Sequence, residues 1–145
     1  MSIREVAEKA LTVGEGKALI IDRGQNGCAK IRFIRVEKEA ATILILHIKG
    51  FKLMREFRTK ISKELYRAAC IEDKKFQDQD EERLKRFLSD FLDLPLMSQI
   101  AMKKDHTYIS LSSQSEHLLK LSFYSYPGNI EIGPRLTILR VEWKT

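Results

Sequence analysis

Residues Thr42 to Ile48 form the most apolar run of the chain, broken only by His47. Isoleucine, leucine and threonine side chains of this kind favour a pleated strand. The run shows almost no apolar–polar alternation, so a strand over 41–49 is expected to be covered on both faces. Lys49 and Gly50 then lead into a segment of different period. Met54, Phe57, Ile61, Leu65 and Ala68 gather on one face at 100° per residue, which predicts a helix over about 51–70. Its opposite face carries Lys52, Arg55, Lys60, Lys63 and Arg67.

Around this centre the chain reads as a single α+β domain over 1–145, a length that supports a core without disulfide or metal. Ser2 followed by Glu5 has the spacing of a capping box and predicts an N-terminal helix to Leu11. Lys17 to Asp22 and Cys28 to Val36 read as two strands joined at Asn26 and Gly27, a dipeptide that suits hairpin turns. With 41–49 they make an antiparallel three-stranded meander. A second central helix is expected to start at Asp78, with Glu81 in its first turn and Leu84, Phe87, Leu88, Phe91 and Leu92 on its apolar face; Pro95 ends it. The remainder predicts C-terminal antiparallel strands over 107–112, 117–126 and 136–143, with Ile130 and Ile132 as a short additional one. Pro127 to Asn129 is the turn between them.

The formal charge is +6 and it is uneven: residues 1–70 carry an excess of seven positive charges, residues 71–105 an excess of two negative ones. Such a field favours anionic partners. The candidate anion or nucleic-acid site is therefore Lys49, Lys52, Arg55, Arg58, Lys60, Lys63 and Arg67, joined by Lys30, Arg32 and Arg35 of the meander. Tyr108, Tyr124 and Tyr126 are candidate stacking platforms for single strands.

Motifs of catalysis are not found. Gly14, Gly16 and Lys17 lack the spacing, the following Ser or Thr and the strand–loop–helix context of a phosphate-binding loop. His47, His106 and His117 have no metal-ligand spacing, and no cofactor or metal site is expected. Glu142 and Lys144 have the E-x-K spacing of metal-dependent nucleases, which also requires an acidic partner; Asp22 and Asp105 are the candidates. Cys28 and Cys70 are far apart and read as buried free thiols in the cytoplasm or another reducing compartment. The N-terminus has no apolar h-region, and no run reaches membrane-spanning length.

The expectation is a non-catalytic interaction module with a protein partner or a second copy of itself and no membrane insertion. The alternative is nucleic-acid binding through the basic helix, and the distant alternative a metal-dependent nuclease.

Overall fold

The computed structural model describes residues 16–24, 28–57, 68–104, 106–115 and 118–144. Among the described residues there are seven strands: β1 (Lys17–Arg23), β2 (Ala29–Val36), β3 (Ala40–Lys52), β4 (Ala68–Ile71), β5 (His106–Ser115), β6 (Leu118–Tyr126) and β7 (Ile130–Trp143). The one helix among the described residues is α1 (Gln79–Phe91). The strands hydrogen-bond in the order β1-β2-β3-β7-β6-β5-β4.

This corrects the expected arrangement of an N-terminal helix, a meander, two central helices and C-terminal antiparallel strands. The first of the two central helices is absent at both of its ends. Phe51 and Lys52 prolong β3, Met54–Glu56 form a single 3₁₀ turn, and Ala68–Ile71 is β4, parallel to β5. The sheet is therefore mixed. The apolar spacing at Met54 and Phe57 satisfied a helical template, but ladder hydrogen bonds to neighbouring strands outweigh so weak a local preference. The N-terminal helix expected over 2–11, and residues 58–67 of the basic helix, lie outside the described residues.

The chain forms two compact units, residues 1–50 with 137–145, and residues 51–136. In the first, β1 pairs antiparallel with β2 in unbroken register, and β2 with β3. Ala29, Ile31 and Phe33 lie opposite Ile48, Leu46 and Leu44, and all six are buried. The opposite face of β3 is only half covered: Ile45 and His47 keep partial exposure. The strand is thus buried on one face rather than on both. A register shift falls between Phe33 and Ile34, where β3 carries an extra residue. Beyond it a smaller apolar cluster of Ile34 and Val36 packs with Ala18, Ile20 and Ala40.

In the second unit, β5 and β6 form a long antiparallel hairpin, and β4 flanks β5. Leu84, Leu88 and Phe91 form the buried stripe of α1, and Phe87 stacks on Phe91 at 5.5 Å. The Asp78 carboxylate caps the helix by accepting from Asp80 N–H at 2.7 Å. The other end closes with Asp93 in the left-handed region (φ 53°) and Leu94 N–H donating to the Ser89 carbonyl, a Schellman closure. Lys85 is buried, and its ammonium donates to Asp73, Glu82 and the Lys74 carbonyl. Three acceptors make that burial tolerable.

Candidate functional site

Regular β1–β2 pairing fixes which side chains share a face. Asp22 lies opposite Lys30, and Ile20 opposite Arg32. Lys30 in turn lies opposite His47 on β3. On β7, Arg140 and Glu142 stand at alternate positions and so project to one side; Lys144, one residue past the strand's end, pairs with Glu142. Contacts place that side with His47: its Nε2 is 3.1 Å from Glu142 Oε1 and 3.1 Å from Arg140 Nη2. Lys49 is two residues beyond His47 on β3 and joins it by alternation.

This polar face of the first unit carries Lys30, Arg32, Lys49, Arg140 and Lys144 against the carboxylates of Asp22 and Glu142, an excess of three positive charges before His47 is counted. Asp22 pairs with Arg32 at 3.0 Å. Lys144 pairs with Glu142, and this hydrogen bond, followed by that from His47, pulls the Glu142 carboxyl down to about 2. Glu142 is therefore ionised throughout the neutral range and fully engaged by cations.

A second constellation lies in the other unit. Phe57 has Lys52 Nζ at 4.4 Å and the Arg135 guanidinium at 5.4 Å from its ring centroid, within cation–π range. The ring lies against Gly133, whose φ is +69°. Arg135 also forks onto Glu131, with Nε donating to Oε2 at 2.7 Å, and Ser122 Oγ donates to the same carboxylate. These contacts, Arg135 first, hold the Glu131 carboxyl at about 2. Arg135 is accordingly neutralised, whereas Lys52 has a ring rather than a carboxylate beside it.

Of the ten cations singled out from the sequence, Lys30, Arg32 and Lys49 come together on the first unit's face. Arg35 is three residues from Arg32 and alternates to the opposite side of β2. Lys52 and Arg55 belong to the second unit. Arg58, Lys60, Lys63 and Arg67 lie outside the described residues. Sequence reasoning passed over Arg140 and Lys144 as members of a basic face, although their alternation with Glu142 along a strand was the available signal.

Tyr108 and Tyr124 do not make an open platform. Tyr108 is buried, stacked on Tyr124 at 5.6 Å, with its hydroxyl donating to Asn129. Tyr124 is half-buried and its hydroxyl accepts from Lys120 at 3.0 Å. At the residues of the nuclease reading, Asp22 and Glu142 are each held by basic side chains, and no group of three potential metal ligands occurs among the described residues. Asp105 and His117 lie outside them. Both thiols are free, but Cys28 is exposed rather than buried; Cys70 is buried, its Sγ 3.3 Å from Met102 Sδ.

No protein-family model matches the sequence, and no curated protein matches it. The fold is similar to a crystal structure described as a probable ribosomal biogenesis protein from Aeropyrum pernix K1. The TM-score is 0.72 at 17% identity, covering 97% of this chain and 76% of that one. At that identity the likeness shows a shared fold. No described helix is long and apolar enough to cross a membrane.

Proposed function

We propose that the protein is a non-catalytic nucleic-acid-binding component of a larger assembly, with RNA as its polyanion, working in a reducing compartment. The observation that carries this reading is the polar face of the first unit, where Lys30, Arg32, Lys49, Arg140 and Lys144 outnumber two carboxylates. Phosphate recognition needs clustered Lys and Arg on one accessible surface. The description of the fold neighbour as a probable ribosomal biogenesis protein agrees with RNA as the ligand.

A second reading, docking of a protein partner or of another copy, is supported by a different surface. β1 is a terminal strand of the sheet and exposes Leu19 and Ile21. Edge strands with apolar side chains are natural pairing sites.

The test is the anisotropy of labelled single-stranded and double-stranded RNA at about 50 mM and about 200 mM salt. The parent is expected to bind at low salt and weaken steeply. Lys30→Glu with Lys49→Glu should weaken binding and flatten the log–log salt slope by about 0.7–0.9 for each phosphate that is no longer neutralised. Lys75→Glu, in the exposed connection before α1, is the control. Absence of binding by the parent at low salt removes this reading and leaves the partner-docking one.

A further inference from the structure

The contacts of His47 are incompatible with one protonation state. Arginine only donates hydrogen bonds, so the 3.1 Å approach of Arg140 Nη2 requires a lone pair on His47 Nε2. An ionised carboxylate only accepts, so the 3.1 Å approach of Glu142 Oε1 requires a proton on that same nitrogen. One nitrogen cannot offer both at once. The two contacts therefore describe alternatives. With Nε2 unprotonated, the imidazole and Glu142, itself 3.4 Å from Nη2, hold the guanidinium against the sheet. With both ring nitrogens protonated, His47 pairs with Glu142 through Nε2 and faces Arg140 as a like charge.

The other groups around this centre sharpen the choice. Lys30 lies opposite His47 on β2, and Lys49 follows on β3 itself. Lys144 occupies the other oxygen of Glu142. Asp22 stands beyond Lys30, across from it on β1. The Glu142 carboxyl, at about 2, stays ionised near neutrality. Arg140 has the room to move: its side chain is 64% exposed, whereas that of His47 is 15% exposed.

We propose that Arg140 is a phosphate-binding residue of this face and that His47 is its positioning residue. The neutral ring holds the guanidinium on the sheet, and the protonated ring, paired with Glu142, releases it to a phosphate. The proposal rests on the nucleic-acid reading above and adds its regulation. A phosphate that draws Arg140 away leaves Nε2 facing Glu142 alone, which favours a proton on Nε2; where Nδ1 keeps its own proton, that proton is taken up from solvent. Binding of RNA is then linked to uptake of a proton, and affinity rises as pH falls. Histidine is the side chain that makes such a change near neutrality.

The experiment measures RNA affinity at constant salt between pH about 8 and about 6. One linked proton sets a limit of about tenfold per pH unit, and the parent is expected to gain at least about threefold over this range. His47→Gln should flatten the profile to within about twofold, because its amide does not titrate. Arg140→Gln should lower affinity at the acid end and flatten the profile too. His106→Gln, on β5 of the other unit, should keep the parent's slope. A flat parent profile with binding intact, or a slope that survives His47→Gln, overturns the latch and leaves the nucleic-acid reading standing. Nitrogen-15 NMR of the RNA-free protein decides the latch even where no RNA binds. An unprotonated Nε2 at pH about 8, gaining its proton as the Arg140 side-chain signal moves, supports it; a proton already on Nε2 at that pH refutes it.

Discussion

Gly133 and Phe57 allow a stability effect to be worked from geometry. Gly133 is buried in β7 with φ +69°, and a Cβ built there falls 2.4 and 2.6 Å from two carbons of the Phe57 ring. Gly133→Ala therefore meets two penalties. A non-glycine residue in left-handed backbone costs about 1–2 kcal/mol. Overpacking against a ring flanked by Lys52 and Arg135 costs about 1–3 kcal/mol more. The sum, about 2–5 kcal/mol, corresponds to a fall in Tm of roughly 5–15 °C for a chain of this length. The two penalties separate in a double-mutant cycle. In a Phe57→Ala background the clash is gone and only the backbone penalty, about 1–2 kcal/mol, remains. Urea unfolding of the four proteins measures the coupling, expected at about 1–3 kcal/mol. A coupling below about 0.5 kcal/mol, or a single-variant cost that small, would refute the close approach of ring and backbone.

Leu44→Ala should cost about 2–5 kcal/mol, because the residue is fully buried opposite Phe33, and Ile45→Ala should cost clearly less on its half-open face; chemical denaturation compares them. Lys85→Ala should cost about 2–4 kcal/mol by removing the shared partner of Asp73 and Glu82, and Lys85→Met less, since it keeps the buried stem; a Lys85→Met protein as stable as the parent would show that the ammonium contributes nothing. Glu131 has its carboxyl lowered from 4.5 to about 2, so the stability it lends is complete above pH about 4.5 and is lost as pH falls toward about 2. Glu131→Gln should accordingly soften the acid-side decline of the urea midpoint, and an unchanged decline counts against the Arg135 clamp. Native alkylation should modify Cys28, while Cys70 reacts only on unfolding; early labelling of Cys70 would contradict its burial.

What the sequence disclosed depended on how local each signal is. Asp78, the acidic first turn and the stripe through Leu84, Leu88 and Phe91 act within one helix, and all of them operate in α1. The meander was legible for the same reason: short connections make sequence neighbours pair. The segment after Gly50 misled because its apolar residues fit a helical period while its ends are claimed by ladders. Ala68–Ile71 is extended because β5, more than thirty residues later, lies alongside it, and no local pattern announces a parallel partner at that distance. β7 is one continuous strand over 130–143, not a short piece and a longer one, because Gly133 adopts left-handed backbone without leaving the strand.

The charge asymmetry was visible from composition, but the face that uses it was not. Counting cations along 49–67 grouped residues that a helix would have aligned; instead Lys49 and Lys52 lie on β3 in different units. The grouping that does form takes Lys30 and Arg32 from β2, Lys49 from β3, Arg140 from β7 and Lys144 from just beyond its end, and so depends on β3 and β7 being sheet neighbours. That adjacency also changes the meaning of two features legible in the sequence. His47, a lone polar residue within an apolar run, gains an acceptor and a donor from a strand about ninety residues away. The E-x-K spacing of Glu142 and Lys144 resembles a catalytic tripeptide only while its neighbours are unknown. With Lys144 on one carboxylate oxygen and His47 and Arg140 at the other, Glu142 is an anchor for cations. Its constant negative charge is what allows a single proton on His47 to decide whether Arg140 is held on the sheet or offered to a phosphate.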